Sequence, residues 1–84
     1  MAMVTLTPAA AEQLDILANP IHARVLKLLV RLEQWPKVSG AKALSGGLAG
    51  YYRLRTGDYR VQFYLQADSV IVEKIGHRDG FYDD

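Results

Sequence analysis

The stretch Tyr51-Tyr52-Arg53-Leu54-Arg55-Thr56-Gly57-Asp58-Tyr59-Arg60-Val61-Gln62-Phe63-Tyr64 decides the fold of this chain. Two runs of alternating apolar and polar residues flank Gly57-Asp58, a pair suited to a two-residue hairpin turn. With that turn, Arg55 falls directly opposite Arg60, and Arg53 opposite Gln62, on one face of a sheet. Tyr52, Leu54, Val61, Phe63 and Leu65 take the other face, which needs a covering layer, while Arg53, Arg55, Arg60, Gln62 and Tyr64 stay on the open one. Like charges across a strand pair repel. Arginine facing arginine is therefore the arrangement of a surface that meets an anion, and phosphate is the anion its forked geometry suits.

On the C-terminal side, Ala67-Asp68-Ser69 reads as a second turn, and a third strand is expected from Val70 to Gly76. Val70 and Val72 have one parity, Ile71 and Ile75 the other, as expected if both faces are partly buried or if a bulge lies at Gly76. A regular strand would set Arg78 with Val70 and Val72. If those two face the covering layer, a bulge at Gly76 has to re-aim Arg78 to the arginine face.

On the N-terminal side, Met3-Val4-Thr5-Leu6 reads as a short strand. Thr7-Pro8 then supplies a helix N-cap with proline at the first helical position. The apolar stripe of this first helix is Ala10, Leu14, Leu17 and Ala18. Asn19-Pro20 is expected to end it and to cap a second helix in the same way. Ile21, Val25, Leu28, Leu29, Leu32 and Trp35 follow helical spacing in that second helix, with Pro36 at its end. Lys37 to Gly50, rich in glycine, serine and alanine, reads as a loop. Its glycines do not form a phosphate loop, since no Gly-Lys-Ser/Thr ending leads into a helix.

Eighty-four residues suit a single domain over 1–84, and the chain contains no cysteine. The lack of cysteine suits a reducing compartment, and no apolar run approaches the ~20 residues that span a bilayer. The N-terminus lacks the basic and apolar regions of a secretory leader, so a soluble, cytoplasmic protein is expected. The net charge of +1 hides a strong asymmetry. Between His22 and Arg60, eight Lys or Arg stand against Glu33 and Asp58 alone, a local balance of +6. Arg24, Lys27 and Arg31, at i, i+3 and i+7, form a basic ridge beside the apolar stripe of the second helix. Such a polarised field favours a polyanionic partner, although a merely solvated helix edge gives the same pattern. His22 has no acidic or histidine partner at ligand spacing, so neither a metal site nor another cofactor is expected.

The order β-α-α-β-β-β, the hairpin Tyr52 to Val61, and the ending Gly76-His77-Arg78-Asp79-Gly80-Phe81-Tyr82 together resemble the RelE/ParE superfamily of type II toxin–antitoxin toxins. The resemblance covers almost the whole chain. It implies an α+β fold in which two N-terminal helices pack on one face of a small, mainly antiparallel twisted sheet. One branch of that superfamily, the RelE-like, cleaves messenger RNA in the ribosomal A site without a metal; the other, ParE-like, inhibits DNA gyrase. Carried over by position, Arg60 and Arg78 match arginines that stabilise the scissile phosphate. Arg53 and Arg55 match basic residues that hold the RNA backbone. Tyr82 falls where a C-terminal tyrosine is proposed to transfer a proton, and His77 occupies a variable, often basic position.

Histidine is the residue type whose proton exchanges near neutral pH, whereas a tyrosine acting there depends on nearby arginines. Each candidate has a plainer reading: Tyr82 as an anchor of the C-terminus, His77 as a structural histidine, and Arg55 and Arg60 as partners of Glu73, Asp83 or Asp84. The aromatics Tyr51, Tyr59, Tyr64 and Phe81 would either stack on bases or pack within the fold. Three functions stay open at this point. These are a ribosome-dependent mRNA endoribonuclease that also has Gln62, Arg24, Lys27 and Arg31 on its RNA path, a gyrase inhibitor, and a catalytically weak module that binds an antitoxin. The first two imply a cognate antitoxin as partner.

Overall fold

The computed structural model describes residues 2–81. Its elements run β1 (Met3–Leu6), α1 (Pro8–Asp15), α2 (Ile21–Leu32), β2 (Lys42–Ala43), a short 3₁₀ turn (Gly46–Leu48), β3 (Tyr51–Thr56), β4 (Tyr59–Gln66) and β5 (Ser69–His77). The five strands form one sheet in the order β1-β5-β4-β3-β2. β1 pairs with β5 in parallel, and every other pairing is antiparallel. Both helices pack on the same face, so the architecture is α+β with a two-helix layer over a mixed sheet, as the sequence implies.

The hairpin forms as its turn chemistry requires. Thr56 pairs with Tyr59 around Gly57-Asp58, which brings Arg55 opposite Arg60 and Arg53 opposite Gln62. Gly57 sits at φ +58°, a left-handed conformation that a residue without Cβ adopts at little cost. Thr7 caps α1 through a side-chain oxygen that accepts the N–H of Ala10 at 3.1 Å, and Pro8 opens the helix.

The core joins Val25, Leu28, Leu29 and Leu32 of α2 and Ala10 and Leu14 of α1 to Leu54, Val61, Phe63, Val70, Val72 and Ile75 of the sheet. Burying each of the larger aliphatic or aromatic side chains is worth roughly 1.5–3 kcal/mol, which is what fixes the helices to this face. Trp35 adds edge-on ring contacts to Tyr52 (5.0 Å) and Phe63 (5.4 Å).

Several local expectations are corrected. α1 ends at Asp15, before Leu17 and Ala18, and the N-cap of α2 is Pro20, which has no side-chain cap bond, rather than Asn19. α2 ends at Leu32; Trp35 follows in a tightened turn, its N–H bonded to the carbonyl of Leu32, and still reaches the core from there. The loop expected from Lys37 to Gly50 contains the two-residue strand β2, paired with Tyr52 and Arg53. Leu65 lies beyond the helices and is 39% exposed, lining a cleft of about 370 Å³ with Trp35 and Pro36. The second turn needs only Ala67-Asp68, because Gln66 already pairs with Ser69, and Ala67 takes φ +54°.

The bulge in β5 is at Glu73 and not at Gly76. Phe63 pairs with Val72 while its neighbour Gln62 pairs with Lys74, which leaves Glu73 as the extra residue. This slip of one position reconciles the two parities, since Val70, Val72 and Ile75 are all buried against the helices. Gly76 has a different task. A Cβ there would lie 3.3 Å from the ring of Phe81, so the missing side chain lets Phe81, itself 2% exposed, pack against the strand.

Candidate functional site

β3 and β4 carry Arg53, Arg55, Arg60 and Gln62 on the face away from the helices, by alternation about the buried Leu54, Val61 and Phe63. Arg55 is exposed. Arg60 is half-buried, and its Nη1 atom is cut off from solvent with no hydrogen-bond partner among the described residues. Neither Arg55 nor Arg60 forms an ion pair among the described residues. A guanidinium nitrogen that is both desolvated and unpaired is costly, and an anion brought to it recovers that cost.

Gln62 lies two residues on, on the same face, and is 4% exposed. Its Nε2 donates to Glu73 Oε1 at 3.2 Å, and the hydroxyl of Tyr51 donates to Glu73 Oε2 at 3.0 Å. The bulge turns Glu73 toward Gln62 and so assembles this network. The carboxylate raises the pKa of Tyr51 above the ordinary phenol value, first by accepting its hydrogen bond and then by its charge. Tyr51 also meets Tyr64 edge-on at 5.5 Å. Gln62 Oε1, in contrast, is buried with no partner among the described residues. Lys74, opposite Gln62, donates to the carbonyl of Phe81 and lies 4.6 Å from the centre of its ring.

The C-terminal candidates lie at the rim. The backbone N–H of Arg78 donates to the carbonyl of Asp58 in the hairpin turn. Its Nε lies 3.7 Å from Asp58 Oδ1 and 3.8 Å from Asp79 Oδ1. Both pairs are exposed, and pairs of that kind hold a side chain only weakly. His77 is directly opposite Tyr59, one step out of phase with Arg60 and Gly76, and meets the Tyr59 ring edge-on at 5.2 Å. Its Nδ1 accepts the N–H of Asp79 at 3.0 Å, while its Nε2 is 4.0 Å from Asp58. Tyr82 lies outside the described residues.

Arg24, Lys27 and Arg31 are exposed on α2, across the sheet from Arg60. Arg31 donates to the carbonyl of Ser39 at 2.5 Å. The structure thus gathers Arg53, Arg55, Arg60 and Gln62 on one surface, leaves Arg78 at its edge, and sets the helical ridge apart. Among the described residues no three His, Cys, Asp or Glu side chains are grouped so as to hold a metal ion. No described helix is long and apolar enough to cross a membrane.

Residues 4–80 match the family model described as the ParE toxin of type II toxin–antitoxin systems, parDE. The chain belongs to this toxin family. The RelE/ParE resemblance read from the hairpin and the C-terminal motif therefore holds. Toxin RelE3 of Methanocaldococcus jannaschii is 38% identical over 37 residues, 44% of this chain. That match spans 42% of the curated relative's length. Among solved structures, the toxin–antitoxin complex RelBE2 from Mycobacterium tuberculosis superposes with a TM-score of 0.80 at 28% identity, over 92% of this chain and 98% of that one. The isolated RelE toxin of E. coli shares the fold, with a TM-score of 0.76 at 16% identity over 92% of this chain and 84% of that one.

Within this toxin fold, sequence reasoning offered Glu73 only as an ion-pair partner of Arg55 or Arg60, whereas the structure bonds it to Tyr51 and Gln62, and it missed Lys74 on the arginine face. The only signal for them was the parity break between Val72 and Ile75, which also allowed a bulge at Gly76.

Proposed function

We propose that this toxin is a ribosome-dependent, metal-independent endoribonuclease that cleaves messenger RNA, held in check by a cognate antitoxin. The observation that carries the reading is the buried Nη1 of Arg60, without a hydrogen-bond partner among the described residues, on a strand position directly opposite Arg55. In the reaction a ribose 2′-hydroxyl attacks the adjacent phosphorus and gives its proton to a base. The bond from phosphorus to the 5′-oxygen then breaks, and that oxygen takes up a proton. The products are a 2′,3′-cyclic phosphate and a 5′-hydroxyl. Extra negative charge develops on the phosphate oxygens, and preorganised guanidinium groups stabilise it there.

In this reading Arg60 holds the scissile phosphate, and Arg78 leaves its weak pairs with Asp58 and Asp79 to join it. Arg53 and Arg55 hold the neighbouring backbone, and Tyr82 or His77 moves the proton. Arg24, Lys27 and Arg31 meet a separate stretch of polyanion, on the far side of the molecule. An antitoxin partner is supported by the M. tuberculosis relative, whose structure is a toxin–antitoxin complex. A cytoplasmic location follows from action on translated messages.

Induced expression with mapping of message 5′ ends tests the proposal. New ends in translated messages, lost with Arg60→Ala while the purified variant stays folded, are the expected result; growth arrest that persists in Arg60→Ala overturns it. A second reading, inhibition of DNA gyrase, draws on the ParE family model that the chain matches. Induction of a DNA-damage response without message cleavage would select it, and unimpaired growth with stable antitoxin binding would select a catalytically weak binding module.

A further inference from the structure

Two buried polar atoms on the arginine face have no partner among the described residues, and they are complementary. Arg60 Nη1 is a cationic donor, and Gln62 Oε1 is a neutral acceptor. The two residues are i and i+2 on β4, so their side chains emerge on the same face about 7 Å apart along the strand. A ligand that satisfies both offers an anionic acceptor to one and a hydrogen-bond donor to the other.

The orientation of the Gln62 amide is set by its neighbours. Nε2 donates to Glu73 Oε1 at 3.2 Å, and a reversed amide would turn its oxygen toward a carboxylate. Tyr51 donates to the other carboxylate oxygen at 3.0 Å, which holds Glu73 in place. Donation to a carboxylate also polarises the amide and strengthens its oxygen as an acceptor. The network therefore presents an acceptor and never a donor at this point.

Resting on the nuclease reading above, we infer that Gln62 Oε1 accepts a hydrogen bond from the ribose 2′-hydroxyl beside the phosphate held by Arg60. Glu73 acts as the positioning residue that keeps the amide in this orientation. In a nucleotide chain the 2′-hydroxyl is the donor carried next to the 3′-phosphodiester, whereas base edges project away from it. It is also the group that separates RNA from DNA.

The test is equilibrium binding of the whole chain to a short single-stranded RNA and to the same sequence with 2′-fluoro sugars. Fluorine keeps the sugar shape and the charge but removes the donor, and RNA integrity is checked by gel. The wild type is expected to prefer the hydroxyl RNA by about 5–10-fold, the ratio one net hydrogen bond gives. Gln62→Leu and Glu73→Gln should each reduce the hydroxyl-over-fluoro ratio to about twofold or less.

A preference that survives both variants, or that is absent from a wild type whose RNA binding depends on Arg60, overturns the inference and leaves the nuclease reading standing. RNA binding that is indifferent to Arg60→Ala overturns both. Should Gln62→Leu fail to fold, Glu73→Gln decides alone, because it keeps the size of the side chain while removing the charge and exchanging one of the two acceptor oxygens that fix the amide for a donor.

Discussion

The side-chain oxygen of Gln13 accepts the backbone N–H of Ile75 at 2.7 Å and so ties the first helix to the outer edge of the last strand. β5 runs on past Val72, where its pairing with β1 ends, and its outer backbone groups would otherwise face no strand. Thr7 takes over the carbonyls of Val72, through its N–H at 3.0 Å, and of Glu73, through its hydroxyl at 3.3 Å. Gln13 then takes the N–H of Ile75. The bulge that turns Glu73 to the arginine face is thus supported by residues more than sixty positions earlier. Gln13→Ala leaves an N–H unpaired in a part-buried position and should cost about 1–3 kcal/mol, read as a lowered midpoint in urea denaturation at unchanged slope.

Arg55 opposite Arg60 is a pairing that costs stability. Arg55→Glu replaces repulsion by attraction across the same strand pair and should stabilise the fold by up to about 1 kcal/mol. The same change gives Arg60 an internal anion, so growth arrest on induction should be lost. A variant that melts higher and no longer poisons the cell separates the demands of folding from those of the site. A lower melting temperature would show that the pair is not repulsive.

Ala67 occupies a left-handed conformation at φ +54°, where an L-residue with a Cβ costs roughly 1–2 kcal/mol. Ala67→Gly removes the clash and admits more freedom to the unfolded chain, two effects that partly cancel. A net gain of about 0.5–1 kcal/mol is expected in thermal or urea unfolding. The turn lies at the opposite end of β4 from Arg60, so the growth phenotype on induction should not change.

Tyr51 supplies a pH signature. Its pKa is raised in the folded state by the hydrogen bond to Glu73. A group raised above its unfolded value stabilises the fold below the unfolded pKa, ~10 for tyrosine, and loses that contribution as pH climbs through the folded value. Tyr51→Phe should therefore lower the melting temperature at neutral pH, and the gap to wild type should close above about pH 10. Spectrophotometric titration should find a late-ionising tyrosine that is absent from Tyr51→Phe, and Glu73→Gln should bring its ionisation to lower pH.

How far the site could be read beforehand depends on the range of the interactions that build it. The β3–β4 register was legible because a two-residue turn fixes the pairing of its flanks, and alternation then assigns Arg53, Arg55, Arg60 and Gln62 to one face. The helices were legible as apolar stripes, but their ends were not. Leu17 and Trp35 keep helical spacing and pack against the core although neither lies in a helix, because side-chain burial does not require helical backbone.

By itself, then, the sequence determined the order of the longer elements, the hairpin, the covered face and the clustering of arginines, all of which follow from local turn chemistry and short periodicities, and it left β2 unseen. Only the tertiary structure decided that the bulge sits at Glu73, that Gly76 is kept bare for Phe81, and that Arg60 and Gln62 each bury an atom with no partner among the described residues. Those features depend on Thr7, Gln13 and Phe81 meeting strands from elsewhere in the chain. Contacts between distant positions carry no periodicity along the sequence, so they become visible only once packing has brought the residues together.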